Sequence, residues 1–408
     1  MDRLRQALFQ SKFDVDKRVP SIFFSLPYFG NYAITDFEHL FWVQLATLVI
    51  LGSIVNIIIA IIVYKLIVQQ RGSWQAFLVG YGFVCPFLLL LPFWISQELD
   101  LRNPAIIVSG AAASVLLFFR CLEAMYGTGP AFSTQSLRNY CFYFGATVNF
   151  ELHPKTGALI PLTRKSARER SFKFLRLFIE TSLWYSLLLH FDYSVFPSKQ
   201  RQNILDFFYW GNILNNLLVT FLTSHCLEVG AVGIGLATSA VSGVQTAELQ
   251  YFPLTRSLSP SDFWGNRWNI LVSWALKRGV FQPLRKHGWS WPVSALACFA
   301  ASGLLHEYII LLVASQAKRT QIQSNDMQIF WKQLLFFLWN AVVLIMEQLV
   351  KNTAAIRWMA TNLPAAVRTA LVIMTVLPLA HLFTDVYIDI NIFNGLSLGF
   401  PRIVKLEE

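Results

Sequence analysis

SWPVSALACFAASGLLHEYIILLVASQ, residues 290–316, is an apolar run long enough to cross a bilayer, with His306 and Glu307 near its middle. About 20 apolar residues cover ~30 Å of hydrocarbon as a helix. With no water to satisfy exposed backbone, such a segment must be helical. An adjacent histidine and glutamate at that depth are costly, and ionisable groups in spans usually mark a site. Ser302 and Gly303, one turn before the histidine, are small and are expected to open a pocket above its ring. A lone helical histidine is often only a satisfied core residue; the apolar setting favours the functional reading.

Other apolar stretches run over about 40–68, 76–97, 104–122, 172–191, 205–238, 329–350 and 366–390, which gives roughly eight spans in all. The expected fold is therefore an all-α polytopic membrane protein whose helices form a chamber around His306. Composition agrees: 14% of the 408 residues are charged and 55% hydrophobic, against ~25% charged in soluble domains. The 35 Phe and 13 Trp suit lipid-facing helices with aromatic belts. Gly230, Gly233 and Gly235 suggest that the 205–238 stretch is broken or re-entrant. Residues 1–36 mix Arg3, Arg5, Lys12, Lys17 and Arg18 with Leu4, Leu8, Phe9 and Phe13, the pattern of an interfacial amphipathic segment. That leaves 37–408 as the membrane domain. No cleavable signal peptide is legible in the first twenty residues, so the first span is expected to direct targeting.

The net charge of +10 sits between the spans. It fits topology and an anionic ligand better than nucleic acid, and no nucleic-acid partner is expected. Lys155, Arg164, Lys165, Arg168, Arg170 and Lys173 mark 153–173 as cytosolic. Counting spans puts 240–289 (with Lys277, Arg278, Arg285 and Lys286) and Lys351, Arg357 and Arg368 on the same side. The acidic turn Gln97–Asp100 falls opposite. The same count puts the basic N-terminus outside the cytosol, which points to a miscounted early span. Cys85, Cys121, Cys141, Cys226 and Cys298 show no paired spacing, so neither a disulfide framework nor a zinc site is expected.

Just upstream of the histidine span lies Asp262-Phe263-Trp264-Gly265-Asn266-Arg267-Trp268-Asn269. Ser259, Pro260 and Asp262 are good N-cap, N1 and N3 residues. The helix they start would place Trp264, Trp268, Leu271, Val272 and Ala275 on one face, and Gly265 would leave space beside Asn269. Arg267, Arg278 and Arg285 are donors suited to phosphate. An interfacial helix with aromatic anchors fits the composition equally well. Elsewhere, His225 and Glu228 either line a tunnel or satisfy each other. Asn340 and Glu347 share a face, and Glu347 can pair with His306 or a cation. His381 and Asp385 lack a third metal ligand, so no metal is expected. Asn212, Asn215 and Asn216 are read as interhelical hydrogen bonders.

The run Asp262–Asn269 followed by Ser302–Glu307 resembles the wax-synthase-like branch of the membrane-bound O-acyltransferases. Plant wax synthases and related sterol acyltransferases carry Phe-Trp-Gly-x-Arg-Trp-Asn and then Ser-Gly-Leu-x-His-Glu. The likeness covers a motif core at 258–310, including Pro283 and Arg285, and is weak elsewhere. It implies acyl-CoA as co-substrate with no further cofactor, a lipophilic alcohol acceptor, His306 as catalytic base and Asn269 as its companion. Trp264, Arg267, Trp268, Arg278, Arg285, Ser302, Glu307 and Glu347 are expected around the substrates. Asn266 stands where the family often has arginine. An endoplasmic reticulum location among membrane lipids is the corresponding expectation, and homo-oligomerisation is left open. A long-chain fatty alcohol giving a wax ester leads; sterol, diacylglycerol or terpenoid acceptors are the alternatives. A proton-coupled lipid transporter using His306 and Glu307 as a relay is the rival of another class. It lacks an inverted repeat and leaves the Trp-rich loop unexplained.

Overall fold

The computed structural model describes residues 20–27, 30–36, 38–317, 330–397 and 399–406, and the apolar stretches are helical. In chain order they form α1 (His39–Val68), α2 (Trp74–Glu98) and α3 (Pro104–Tyr126), the short α4 (Leu137–Gly145), then α5 (Arg164–His190) and α6 (Trp210–Ser242). The motif region contributes α7 (Ile270–Leu276), followed by α8 (Trp291–Ala317) and α9 (Lys332–Val350). Next come α10 (Ala354–Asn362), α11 (Ala365–Val376) and α12 (His381–Asp389).

Among the described residues six helices, α1, α2, α3, α6, α8 and α9, are long and apolar enough to cross a membrane. Ala365–Leu379 and α12, bent by 51° at their junction, make a seventh crossing if counted together. The remaining expected span, 172–191, lies in α5, which carries Lys173, Arg176 and Glu180. Two of these charges are tied to α6: Lys173 binds Glu228 at 2.6 Å, and Glu180 lies 3.4 Å from His225. Trp184 stacks on Phe221. α5 is thus an antiparallel partner of α6 with paired charges, too polar to qualify on composition. His225 and Glu228 each reach α5 and not one another. α6 is also unbroken over its 33 residues. Two of its glycines serve close packing, a Cβ on Gly233 standing 3.0 Å from the Phe174 ring and one on Gly235 2.7 Å from the Thr246 hydroxyl, while Gly230 has open space around it.

Long-range contacts sort the loops onto two faces. Phe150 bridges to Thr246 and Pro161 to Val244, and the Thr128 hydroxyl donates to the Arg278 carbonyl at 2.6 Å. Glu347, near the end of α9, binds Ser261. The basic segments 153–173 and 240–289 therefore share one face with the end of α9, as the charge count expects. On the opposite face is an antiparallel sheet, β1 (Pro20–Leu26), β2 (Gly30–Thr35) and β3 (Ile403–Lys405), in the order β1-β2-β3. Ile403 N–H donates to Ser186 Oγ at 2.8 Å and Trp42 Nε1 to the Gly399 carbonyl at 2.7 Å, anchoring it there. Of the expected amphipathic segment 1–36, residues 1–19 and 28–29 lie outside the described residues, and Pro20–Leu26 and Gly30–Thr35 form paired strands instead. By length and composition α1, α2 and α3 all qualify as spans, the three that the charge count places before 153–173.

One buried charge was not singled out in the sequence. Arg120 in α3 is 2% exposed and donates to the carbonyls of Tyr143, Phe144 and Ala146 at the end of α4. A cation there matches the negative end of the helix dipole and satisfies carbonyls that would otherwise be orphaned. Glu123, one turn on and equally buried, accepts the Tyr143 hydroxyl.

Candidate active site

His306 projects from α8 into an aromatic surround built by two other helices. Its ring stacks on Phe337 of α9, with centroids 4.9 Å apart and planes at 11°, and meets Phe383 of α12 edge-on at 5.0 Å. Its Nδ1 lies 2.6 Å from the Tyr387 hydroxyl, also on α12. The residue is half-buried, and its Nε2 makes no hydrogen bond among the described residues. The flat face, the edge contact and the Nδ1 bond together fix the ring, leaving one nitrogen available for chemistry.

The neighbouring Glu307, expected at the substrates, turns one oxygen to α9. Its Oε1 accepts the N–H groups of Gln333 and Leu334 at 3.0 and 3.2 Å, the start of α9, where a carboxylate is favoured. The fully buried Gln333 donates to the carbonyls of Leu382 and Phe383 at 3.2 and 2.9 Å. Glu307 and Gln333 therefore lock α8, α9 and the start of α12 together around His306.

Ser302 is buried, and the pocket expected over the ring is filled by α9. A Cβ on Gly303 would stand 2.7 Å from the Leu334 Cα, so this glycine is what lets α8 and α9 approach. Gly303→Ala is expected to push back the helix that carries Phe337. The cost should be ~1–3 kcal/mol, the scale of overpacking, with a fall in turnover. An unchanged melting temperature and rate would show that the two helices tolerate the extra methyl.

The Trp-rich motif folds as a turn, not as the continuous helix the spacing suggests. Ser259 Oγ accepts the Asp262 N–H at 3.1 Å, capping the turn as expected. Phe263–Arg267 then form a π-helical turn closed by Trp268 N–H to the Phe263 carbonyl at 2.8 Å. Such turns are frequent at functional sites. Trp268 is extended, and Asn269 takes φ +40° and ψ 66° before α7. Asparagine tolerates this left-handed conformation better than most residues, and a non-glycine there costs ~1–3 kcal/mol. The Asn269 Oδ1 accepts the Val272 N–H at 3.3 Å as the cap of α7. Gly265 has open space around it.

The turn reaches the histidine through Trp264. Its Nε1 donates to Asn340 Oδ1 at 3.1 Å, and its ring packs on Phe299 at 5.8 Å and on Phe337 at 5.9 Å. Phe337 thus touches both Trp264 and His306. Trp268 stacks on Phe263 at 5.6 Å. Among the described residues no hydrogen bond joins Asn269 to His306.

Comparison with known proteins falls on this same region. The family described as "Membrane bound O-acyl transferase family" matches residues 248–339, which hold the motif turn, His306 and Phe337. Over that stretch the chain is similar to this family. Probable long-chain-alcohol O-fatty-acyltransferase 9 of Arabidopsis thaliana is 33% identical over 24% of this chain and 28% of its own length. Acyl-CoA–sterol O-acyltransferase 1 of the same plant is 28% identical over 32% of this chain and 36% of its own. A longer match, to the plant's probable long-chain-alcohol O-fatty-acyltransferase 7, is 23% identical over 67% of this chain and 71% of that protein. The matches to the first two therefore span about a third of those relatives or less.

Several residues expected at the substrates make contacts within the protein. Arg267 binds Asp262 at 2.6 Å and donates to the Tyr251 carbonyl at 3.1 Å, bracing the turn instead of facing a phosphate. Burial works to raise the Asp262 carboxyl, yet the Arg267 guanidinium and the Leu258 N–H hold it below its ordinary value. Glu347 accepts the Ser261 N–H and hydroxyl, each at 2.8 Å, and among the described residues pairs with neither His306 nor a cation. Arg278 lies over the Trp274 ring at 5.1 Å, and Arg285 is exposed beside Lys286, donating to the Trp289 carbonyl. These two arginines, with exposed Lys277 and Lys286, form the basic rim of the loop.

His381 and Asp385 do not converge: the histidine stacks on Phe207 at 5.2 Å and Asp385 binds Arg201 at 3.2 Å. Asn216 crosses between helices to the Leu377 carbonyl, as read. Asn212 and Asn215 instead pin the connection before α6, at Lys199 and Phe196. The residues missed in the sequence are Phe337, Gln333, Phe383 and Tyr387. Tyr387 lies 81 positions beyond His306, and its one legible signal was the i, i+4 aromatic pair it makes with Phe383.

Proposed function

We propose that the chain is an acyl-CoA-dependent O-acyltransferase that esterifies a lipophilic alcohol, with a long-chain fatty alcohol as acceptor and a wax ester as product. The observation that carries the reading is the unpartnered Nε2 of His306, held in an aromatic surround that also packs against the motif turn. A thioester is already activated, so transfer to an alcohol needs no metal and no covalent enzyme intermediate. It needs a base for the hydroxyl proton, and a neutral imidazole supplies one. As the alcohol oxygen bonds to the acyl carbon, its proton passes to Nε2. As the carbon–sulfur bond breaks, that proton passes to the leaving thiolate. With Oδ1 of Asn269 engaged by Val272, its Nδ2 is the donor left for the developing oxyanion. Excluding bulk water favours the alcohol over hydrolysis.

The long-chain acceptor rests on the names of the relatives, and the sterol-acylating relative supports a sterol as the second reading. Acyl-CoA enters from the cytosolic face of the endoplasmic reticulum membrane, across the rim of Lys277, Arg278, Arg285 and Lys286. Reversing the charge of both Arg278 and Arg285 is expected to raise KM for acyl-CoA about tenfold, or ~1.4 kcal/mol, with little change for the alcohol. Equal effects on both substrates would move the entrance elsewhere. The reading itself is tested by incubating the purified protein with labelled acyl-CoA and separate samples of fatty alcohol, sterol and diacylglycerol. Labelled wax ester as the main product is expected. A predominant sterol ester would reassign the acceptor, and no ester from any of them would overturn the reaction.

A further inference from the structure

For His306 to take a proton at Nε2, its resting hydrogen must sit on Nδ1. Neutral imidazole carries a single N–H, and the group facing the other nitrogen decides where it goes. Here that group is Tyr387, whose hydroxyl lies 2.6 Å from Nδ1. A tyrosine hydroxyl can accept from Nδ1–H, which leaves Nε2 basic, or donate to Nδ1, which leaves Nε2 as a donor and useless as a base.

Tyr387 is well built to hold one geometry. It is 8% exposed and its ring packs on Phe383 at 4.9 Å, while Phe383 in turn meets the His306 ring edge-on. The start of α12 is fixed by Gln333, which donates to the carbonyls of Leu382 and Phe383. Gln333 is reached through its backbone by Glu307, the residue next to His306. The histidine and the tyrosine are thus held at both ends of one closed circuit through α8, α9 and α12.

We propose that Tyr387 is the positioning residue of His306: its hydroxyl oxygen accepts the Nδ1–H, fixes that tautomer and aims Nε2 at the acceptor hydroxyl. The Nδ1 proton stays in place throughout. Only the Nε2 proton moves, arriving from the alcohol and leaving with the thiolate, so no other reactant is required. While Nε2 is protonated, the same hydroxyl oxygen faces the imidazolium and stabilises it. The inference rests on the acyl-transfer reading, and its test includes a readout that needs no turnover.

Tyr387→Phe removes the hydroxyl and keeps the ring packing. It is expected to lower kcat ~10–100-fold, the scale found when the outer partner of a metal-ligating histidine is lost, with KM for both substrates little changed. Adding Tyr387→Phe to His306→Ala should cost nothing further, whereas a merely structural tyrosine would cost the same in both backgrounds. The tautomer is read directly from ¹⁵N spectra of histidine-labelled protein, the His306 signals being assigned by their absence in His306→Ala. Wild type should show Nδ1–H, and Tyr387→Phe a mixture of both tautomers. Nε2–H in wild type, or an unchanged spectrum in Tyr387→Phe, would overturn the proposal whether or not ester forms. A wild-type protein that makes no ester would instead overturn the acyl-transfer reading and leave the spectra to decide on Tyr387.

Discussion

His306→Ala is expected to reduce ester formation ~10²–10⁴-fold, the range for losing a general base, while the protein remains folded in the membrane. The size follows from the surroundings of the ring. Nε2 has no hydrogen-bond partner among the described residues, and the side chains stacked on the ring are the apolar Phe337 and Phe383. Neither can accept a proton in its place. Because alanine leaves a gap against Phe337, His306→Gln serves as the companion variant: it fills the space and carries no basic nitrogen. Both should melt near the wild-type temperature and both should be nearly inactive. Turnover close to wild type in the glutamine variant would place the base elsewhere.

Asn269→Ala should cost ~10²–10³ in kcat, or about 2.7–4 kcal/mol of barrier, the effect of losing one oxyanion donor. The loss should fall on kcat with acyl-CoA binding largely kept, since the bond strengthens only in the transition state. The backbone supplies a control that separates this role from a conformational one. Asn269 sits at φ +40° and caps α7 through Oδ1. Glycine adopts that φ at no steric cost, so Asn269→Gly relieves the backbone while removing the amide. If the amide is the donor, the glycine variant will be as slow as the alanine one. Wild-type kcat in Asn269→Gly would make the residue a turn former only.

The spans were legible because hydropathy is a local property: seven of the eight expected stretches correspond to qualifying helices or to the bent pair. The eighth, in α5, falls short on composition because Lys173, Arg176 and Glu180 interrupt an otherwise apolar face, and the partners of Lys173 and Glu180 on α6 lie far along the chain. The position of His306 was legible for the same local reason. Its surroundings were not. Phe337 and Tyr387 come from 31 and 81 residues downstream, and no periodicity within α8 announces them. The Ser259 cap was readable from residue types, yet the break at Asn269 was not. Helical spacing continues through Trp268 and Leu271, and only the π turn at Phe263–Arg267 carries the chain out of register. Gly303 shows the ambiguity of small residues. In sequence it reads as empty space beside the ring, whereas in three dimensions Leu334 occupies that space. Arg267 and Glu347 read as ligand contacts because the sequence could not show that Asp262 and Ser261 would claim them.

The most direct test follows both products of one reaction in parallel. Purified wild-type protein and His306→Gln, each in lipid nanodiscs, are given acyl-labelled CoA and a long-chain alcohol while labelled ester and free CoA thiol are counted together. Wild type should release one thiol for each ester formed, and His306→Gln should produce neither above background. Thiol release without ester in the wild type, or equal ester formation by the two proteins, would contradict acyl transfer at His306.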